Sequence, residues 1–148
     1  MLSLSRPRFR AEDVELAVRE HYGIEVSVVA ELPSERDQNF HLRDSSGTEL
    51  VFKIASATES RSVLDLQSQA LEHVLRRDPD LPLPRMRRTA AGESLASLSD
   101  GDGASHFVRL FDFLPGRPLT AVRHHPESLL RGVGRLIGRL DTALEGFS

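Results

Sequence analysis

The chain has 148 residues, a formal net charge of −3, 39% hydrophobic residues and only 5% aromatic ones. A charge so near neutrality gives no general pull toward nucleic acid or an anionic bilayer, so neither is expected as a partner. The lack of Cys excludes disulfides and thiolate chemistry, and no apolar run approaches the roughly 18 residues of a membrane-spanning helix. Met1 to Arg10 holds no apolar core of a secretory signal, so a cytoplasmic protein of about one domain is expected.

In chain order, residues 1–10 read as a loose arm. Ala11–His21 reads as a helix, with acidic Glu12, Asp13 and Glu15 at its positive end and Val14, Ala17 and Val18 on one face. Gly23 suits its C-terminal cap. Ile24–Leu32 reads as a first strand in which Ile24, Val26, Val28 and Ala30 share a face. The polar loop 33–38 leads to a second strand, Asn39–Arg43, with Phe40 and Leu42 on one side. Asp44–Gly47 has the composition of a turn, and Glu49–Ala55 is a third strand. Short connections make the three an antiparallel meander.

Of nineteen basic residues, eighteen are Arg, and the single Lys is Lys53 in that third strand. An ammonium is a compact point charge and a guanidinium a wide planar fork, so the exception suggests a chemical need for Lys. Alternation places Leu50, Phe52 and Ile54 on one face and Val51, Lys53 and Ala55 on the other. That second face suits a flat ligand whose phosphate meets Lys53. A helix packed there, or a lysine that blunts an edge strand, would give the same pattern.

Ser60–Arg77 is the clearest helix. A helical wheel places Val63, Leu66, Ala70, Leu71 and Val74 in one broad arc, with Leu64 and Leu75 at its edge, Gln67 near its middle and Asp65, Ser68, Gln69 and Glu72 opposite. A buried amide needs a hydrogen-bond partner, and Lys53 or backbone could supply it. Beyond a Pro-rich connector, 85–89 and 93–98 read as short strands. Asp100–Gly103 reads as a hairpin turn, too short and without the distal Glu of a calcium loop. Ser105–Phe113 is strongly apolar strand. Leu114–Leu119, with two prolines around a glycine, ends the sheet. His124 and His125 read as solvated. Glu127–Glu145 is a final helix whose Gly132, Gly134 and Gly138 imply close packing against another element.

This order defines an α+β fold. It is a five-stranded antiparallel sheet with one helix inserted after strand three, plus an N-terminal and a C-terminal helix. A lysine on strand three, followed by a helix that offers it a polar side chain, is the layout of a protein-kinase-like small lobe.

The chain resembles the N-terminal lobe of the aminoglycoside phosphotransferase and choline kinase-like family of small-molecule kinases, nearest its hydroxylysine kinase-like branch. The resemblance is carried by Asp37–Phe40, Val51–Ile54, Leu64–Glu72, the hinge Val108–Leu119 and Gly134–Asp141. It implies a lobe over 1–111, a hinge at 112–119, and at 120–148 a linker with the first helix of a second lobe. It also implies ATP as the nucleotide. Lys53 would meet the α/β-phosphates and Val51 the adenine. Gln67, with Asp65 as second choice, would orient Lys53. Ser34 and Asn39 would border the phosphates, and the backbone of Asp112, Phe113 and Leu114 would take the adenine edge. The family's catalytic His-x-Asp-x(4)-Asn motif and metal-binding Asp have no match in these residues, so Mg2+ ligands and the acceptor site for a small-molecule substrate are expected in a second lobe. No turnover is expected from these residues alone. An exposed apolar surface near Leu114 and the last helix is expected, where that lobe or a second copy of the chain packs. Domains of this branch also precede pyridoxal-phosphate aminotransferases, which raises the alternative of a non-catalytic docking module fused to another enzyme. The segment 33–38, which matches the phosphate loop, contains no Gly.

Overall fold

A computed structural model describes residues 6–148. Its elements are α1 (Ala11–Tyr22), β1 (Val26–Leu32), β2 (Gln38–Asp44), β3 (Glu49–Ile54), α2 (Arg61–Arg77), β4 (Met86–Arg87), β5 (Ala96–Ser99), β6 (Ser105–Asp112) and α3 (Glu127–Leu144), with a 3-10 turn at Leu119–Ala121. They form two compact units. One comprises the chain up to Asp65 together with Pro84–Phe113, and the other Leu66–Leu83 and Leu114–Ser148. Helix α2 runs from the first unit into the second.

The first unit is an antiparallel sheet in the order β1-β2-β3-β6-β4. The expected five strand positions are present, but the sheet has six strands. β4 pairs with the Leu110–Phe111 end of β6 and β5 with its Ser105–Val108 end, so two short strands share one edge. Alternation decides which side is core. Phe40, Leu42, Leu50, Phe52, Ile54, Val108 and Leu110 are buried against Val14, Ala17, Val18 and Tyr22 of α1. The ring of Tyr22 meets Phe52 edge-on at 6.5 Å, and burial pushes its hydroxyl up to about 12. Gly23 closes α1 in the left-handed region at φ 68°, where its missing Cβ removes the usual steric cost.

Two tight turns repeat one device. Asp44 Oδ1 accepts from the amides of Ser46 and Thr48, each at 2.9 Å. Asp100 Oδ1 accepts from those of Asp102 and Ala104, also at 2.9 Å. Each carboxylate thereby holds the loop between two antiparallel strands.

Several expectations change. Residues 1–5 lie outside the described residues, but the rest of the arm is docked. Pro7 and Phe9 are buried, and Gln38 clamps Phe9, accepting its amide at 2.7 Å and donating to its carbonyl at 3.0 Å. The alternation of β1 breaks at a register shift between Val28 and Ala30, which leaves Val29 outside the ladder and exposed. On α2 the buried positions are Leu64, Ser68, Val74 and Leu75, while Val63 and Leu66 are exposed, Leu66 by 55%. The buried face is therefore turned by about a fifth of a turn from the arc that hydropathy suggests. Ser68 lies on it, and Gln67 is exposed. Counting Val63 and Leu66 as core moved the arc.

In the second unit, Val74 and Leu81 pack with Ala143, flanked by Leu83, Leu136 and Leu140. Arg139 forks onto Asp78 at 2.8 and 2.9 Å. Arg77 Nη1 donates to the Glu145 carbonyl at 2.9 Å. Among the described residues, the α3 glycines do not mark a close approach. A Cβ at Gly132, Gly134 or Gly138 would have nothing within 4 Å.

Candidate functional site

The side of the sheet opposite α1 presents two cross-strand rows set by register. Phe111, Val51 and His41 form one row, from Val51↔Phe111 and His41↔Val51. Arg109, Lys53 and Asn39 form the next, from Lys53↔Arg109 and Asn39↔Lys53. Two residues along a strand separate the rows, or about 7 Å. One row is apolar and aromatic, the other cationic and amide-bearing. Phe113 extends the first by stacking flat on His41, with ring centroids 4.1 Å apart and planes 10° apart. His41 Nε2 lies 3.2 Å from the Glu49 carboxylate.

Lys53 is half-buried and Arg109 only 9% exposed. Lys53 Nζ and the guanidinium carbon of Arg109 each lie 5.4 Å from the centre of the Phe111 ring, within cation–π range. Burial lowers the Lys53 ammonium below an ordinary lysine, the charge of Arg109 lowers it further, and Asp37 partly offsets both. Burial also lowers Arg109, against the opposing pull of Asp37 and Glu59. Asp37 is fixed at the edge of β2 by the Ser56 amide, which donates to its Oδ1 at 3.1 Å. Two like charges directly opposite on adjacent strands destabilise a sheet, and both are partly desolvated. The arrangement is suited to a polyanion.

Asn39 fits the same ligand. Its Oδ1 is buried with no hydrogen-bond partner among the described residues. The oxygen and nitrogen of an amide are exchangeable by a 180° flip, so Asn39 can turn its NH2 toward a phosphate oxygen. No group of three or more His, Asp or Glu side chains able to hold a metal ion occurs among the described residues.

Lys53, Val51 and Asn39 are thus brought to one face. Ser34 lies half-buried in the connection from β1 to β2. The Asp112 amide donates to the Arg85 carbonyl at 2.9 Å and the Phe113 amide to the Glu49 carbonyl at 3.2 Å. Both hinge amides are therefore engaged within their own unit. Asp112 also takes Arg87 Nε at 2.8 Å. Leu114 is exposed. Gln67 belongs to the second compact unit, Lys53 to the first. Asp65 lies 3.6 Å from Arg61 one helical turn away.

Sequence reasoning passed over Arg109, Phe111, His41 and Asp37 as site residues. The signal was an Arg inside the apolar run Phe107–Leu114, but only the register with β3 makes it the neighbour of Lys53.

The fold is that of the N-terminal lobe of kinase-like phosphotransferases. The chain belongs to the phosphotransferase enzyme family, whose profile matches residues 28–148. A hydroxylysine kinase of Danio rerio is 34% identical over 145 residues, covering 95% of this chain and 40% of its own length. The hydroxylysine kinase of Bos taurus is 31% identical, with 98% and 41% covered. The chain therefore spans about two fifths of the length of the curated relatives it matches. Among solved structures, an amicoumacin kinase in complex with AMP-PNP and Ca2+ superposes with a TM-score of 0.76 at 15% identity, covering 95% of this chain and 41% of that one. A microcompartment-associated aminopropanol kinase gives 0.64 at 14% identity, with 87% and 39% covered. At these identities the two structures speak for the fold.

Proposed function

We propose that these residues are the ATP-binding part of a phosphotransferase acting on a small hydroxyl-bearing amine. The observation that carries this is the pair of rows opposite α1: an aromatic, apolar row beside a row of amide and cations. ATP when bound supplies the transferable phosphoryl group. The chain's own groups hold it, with Lys53 and Asn39 meeting the phosphates and Val51 lying along the base. Ser34 borders the phosphates. Because the amides of Asp112 and Phe113 are taken, the adenine edge meets the carbonyls of those residues and the amide of Leu114. Mg2+ would be held by residues beyond those described, since no acidic cluster stands here. Hydroxylysine, with its amine and hydroxyl, is the first acceptor to test, because curated relatives up to 34% identical are kinases of that compound.

The test is the substitution Lys53→Met in the full protein that carries this chain, assayed for phosphoryl transfer from ATP to a panel of amino alcohols headed by hydroxylysine. Turnover should fall by at least ~100-fold while the thermal transition persists, since electrostatic positioning is most of phosphoryl-transfer catalysis. Unchanged turnover would refute the assignment.

A further inference from the structure

The cation row contains a second group that Lys53 alone does not explain. Arg109 is the direct cross-strand neighbour of Lys53, and both charged groups stand at 5.4 Å from one aromatic ring. Val108 and Leu110, on either side of it, are fully buried in the opposite face, so the strand has no freedom to turn Arg109 away. Taking its guanidinium nine-tenths out of water carries a desolvation cost that these apolar neighbours avoid. Its placement beside a second cation adds repulsion to that cost.

We propose that Arg109 is a phosphate-binding residue, forming with Lys53 a two-cation platform that takes two contiguous phosphates of the nucleotide. This rests on the reading of the face as an ATP site and deepens it. Lys53 offers three donors from one point, and Arg109 offers a planar fork able to grip two oxygens of one phosphate. Strand spacing puts their backbones about 5 Å apart, comparable to the separation of neighbouring phosphates in a polyphosphate chain. Phe111 forms the floor beneath both. Asp37, anchored by the Ser56 amide, is the carboxylate that acts on both cations in the absence of ligand. The chemistry selected is a nucleoside diphosphate or triphosphate, in preference to a monophosphate.

The experiment is calorimetric titration of the full protein with ATP, ADP, AMP and adenosine, in wild type, Arg109→Gln and Arg109→Lys. The expected result is a loss of at least tenfold in affinity for ATP and ADP in Arg109→Gln, with AMP and adenosine changed less than threefold. Arg109→Lys should recover part of the ADP affinity, because it restores the charge without the fork. An equal loss for all four ligands would mean that Arg109 only supports the fold, and would overturn the proposal. So would ATP and ADP affinities unchanged from wild type. If Arg109→Gln does not fold, the same comparison is read on Arg109→Lys, where a loss confined to ATP and ADP supports the proposal and a uniform or absent loss overturns it. Wild-type protein that binds none of the four would instead defeat the underlying ATP assignment.

Discussion

Lys53 is costly to the empty fold. Burial and the charge of Arg109 hold its ammonium below the ordinary lysine value, so the unfolded chain binds that proton more tightly. The destabilisation is present at neutral pH, and it is relieved as pH rises through the folded value toward an unfolded value of about 10.4. Lys53→Met removes one of two facing charges. The ligand-free mutant should therefore be more stable than wild type at pH 7, by about 0.2–1 kcal/mol. Urea denaturation at pH 7 and again near pH 10 checks this. The gap should narrow at the higher pH, and a mutant that is less stable at pH 7 would contradict the account. How much of this was legible differs by residue. Lys53 stood out because it is the only lysine, and its face followed from strict alternation in β3. Arg109 did not stand out, because eighteen arginines make any one of them ordinary. Its meaning comes from pairing across fifty-odd residues of sequence, which local pattern does not encode.

At the scale of elements, turns were readable and helix faces were not. The Asp-x-x-Gly turns before β3 and β6 carry their geometry in their own side chains. The buried side of α2 is set by what packs on it, so Val63 and Leu66 misled a reading by hydropathy. The splitting of one sheet edge between β4 and β5 depends on the length of β6, another non-local fact. The turn before β6 also ties to the core. His106 is fully buried, with Nδ1 2.9 Å from the Ala55 carbonyl and Nε2 3.1 Å from Asp100 Oδ2. It therefore links the end of β3, the turn and β6. That contact with His106 is the main reason the Asp100 carboxyl lies below the usual carboxylate range. A depressed carboxylate stabilises the fold above its unfolded value and loses that contribution as pH falls through the folded one. Asp100→Asn keeps the turn acceptor but cannot titrate. As pH falls below the unfolded carboxylate value of about 3.9, wild type should lose stability more steeply than Asp100→Asn. Parallel acid-denaturation curves for the two proteins would rule this out.

On the scale of the whole molecule, α3 has little cover for a helix of its length. Only Ala143 on it is buried, whereas Leu130 and Ile137 are 55% and 54% exposed. The chain spans about two fifths of its curated relatives, and in a protein of their length further residues are expected to cover this face. A protein made of these residues alone should then associate through it. Sedimentation across a range of concentrations should show self-association that the double change Leu130→Lys and Ile137→Lys reduces or abolishes. A monomer at all concentrations would argue against that surface being adhesive. No helix among the described residues is long and apolar enough to cross a membrane.

The near-exclusive use of arginine has a further consequence. Guanidinium groups are inert to reductive methylation, so treatment with 13C-formaldehyde and a mild hydride reductant labels one side-chain nitrogen in this stretch of chain, Nζ of Lys53. Dimethylation keeps the positive charge. The resonance of Lys53 becomes a resident probe of the platform, able to register the arrival of a phosphate without any substitution having been made.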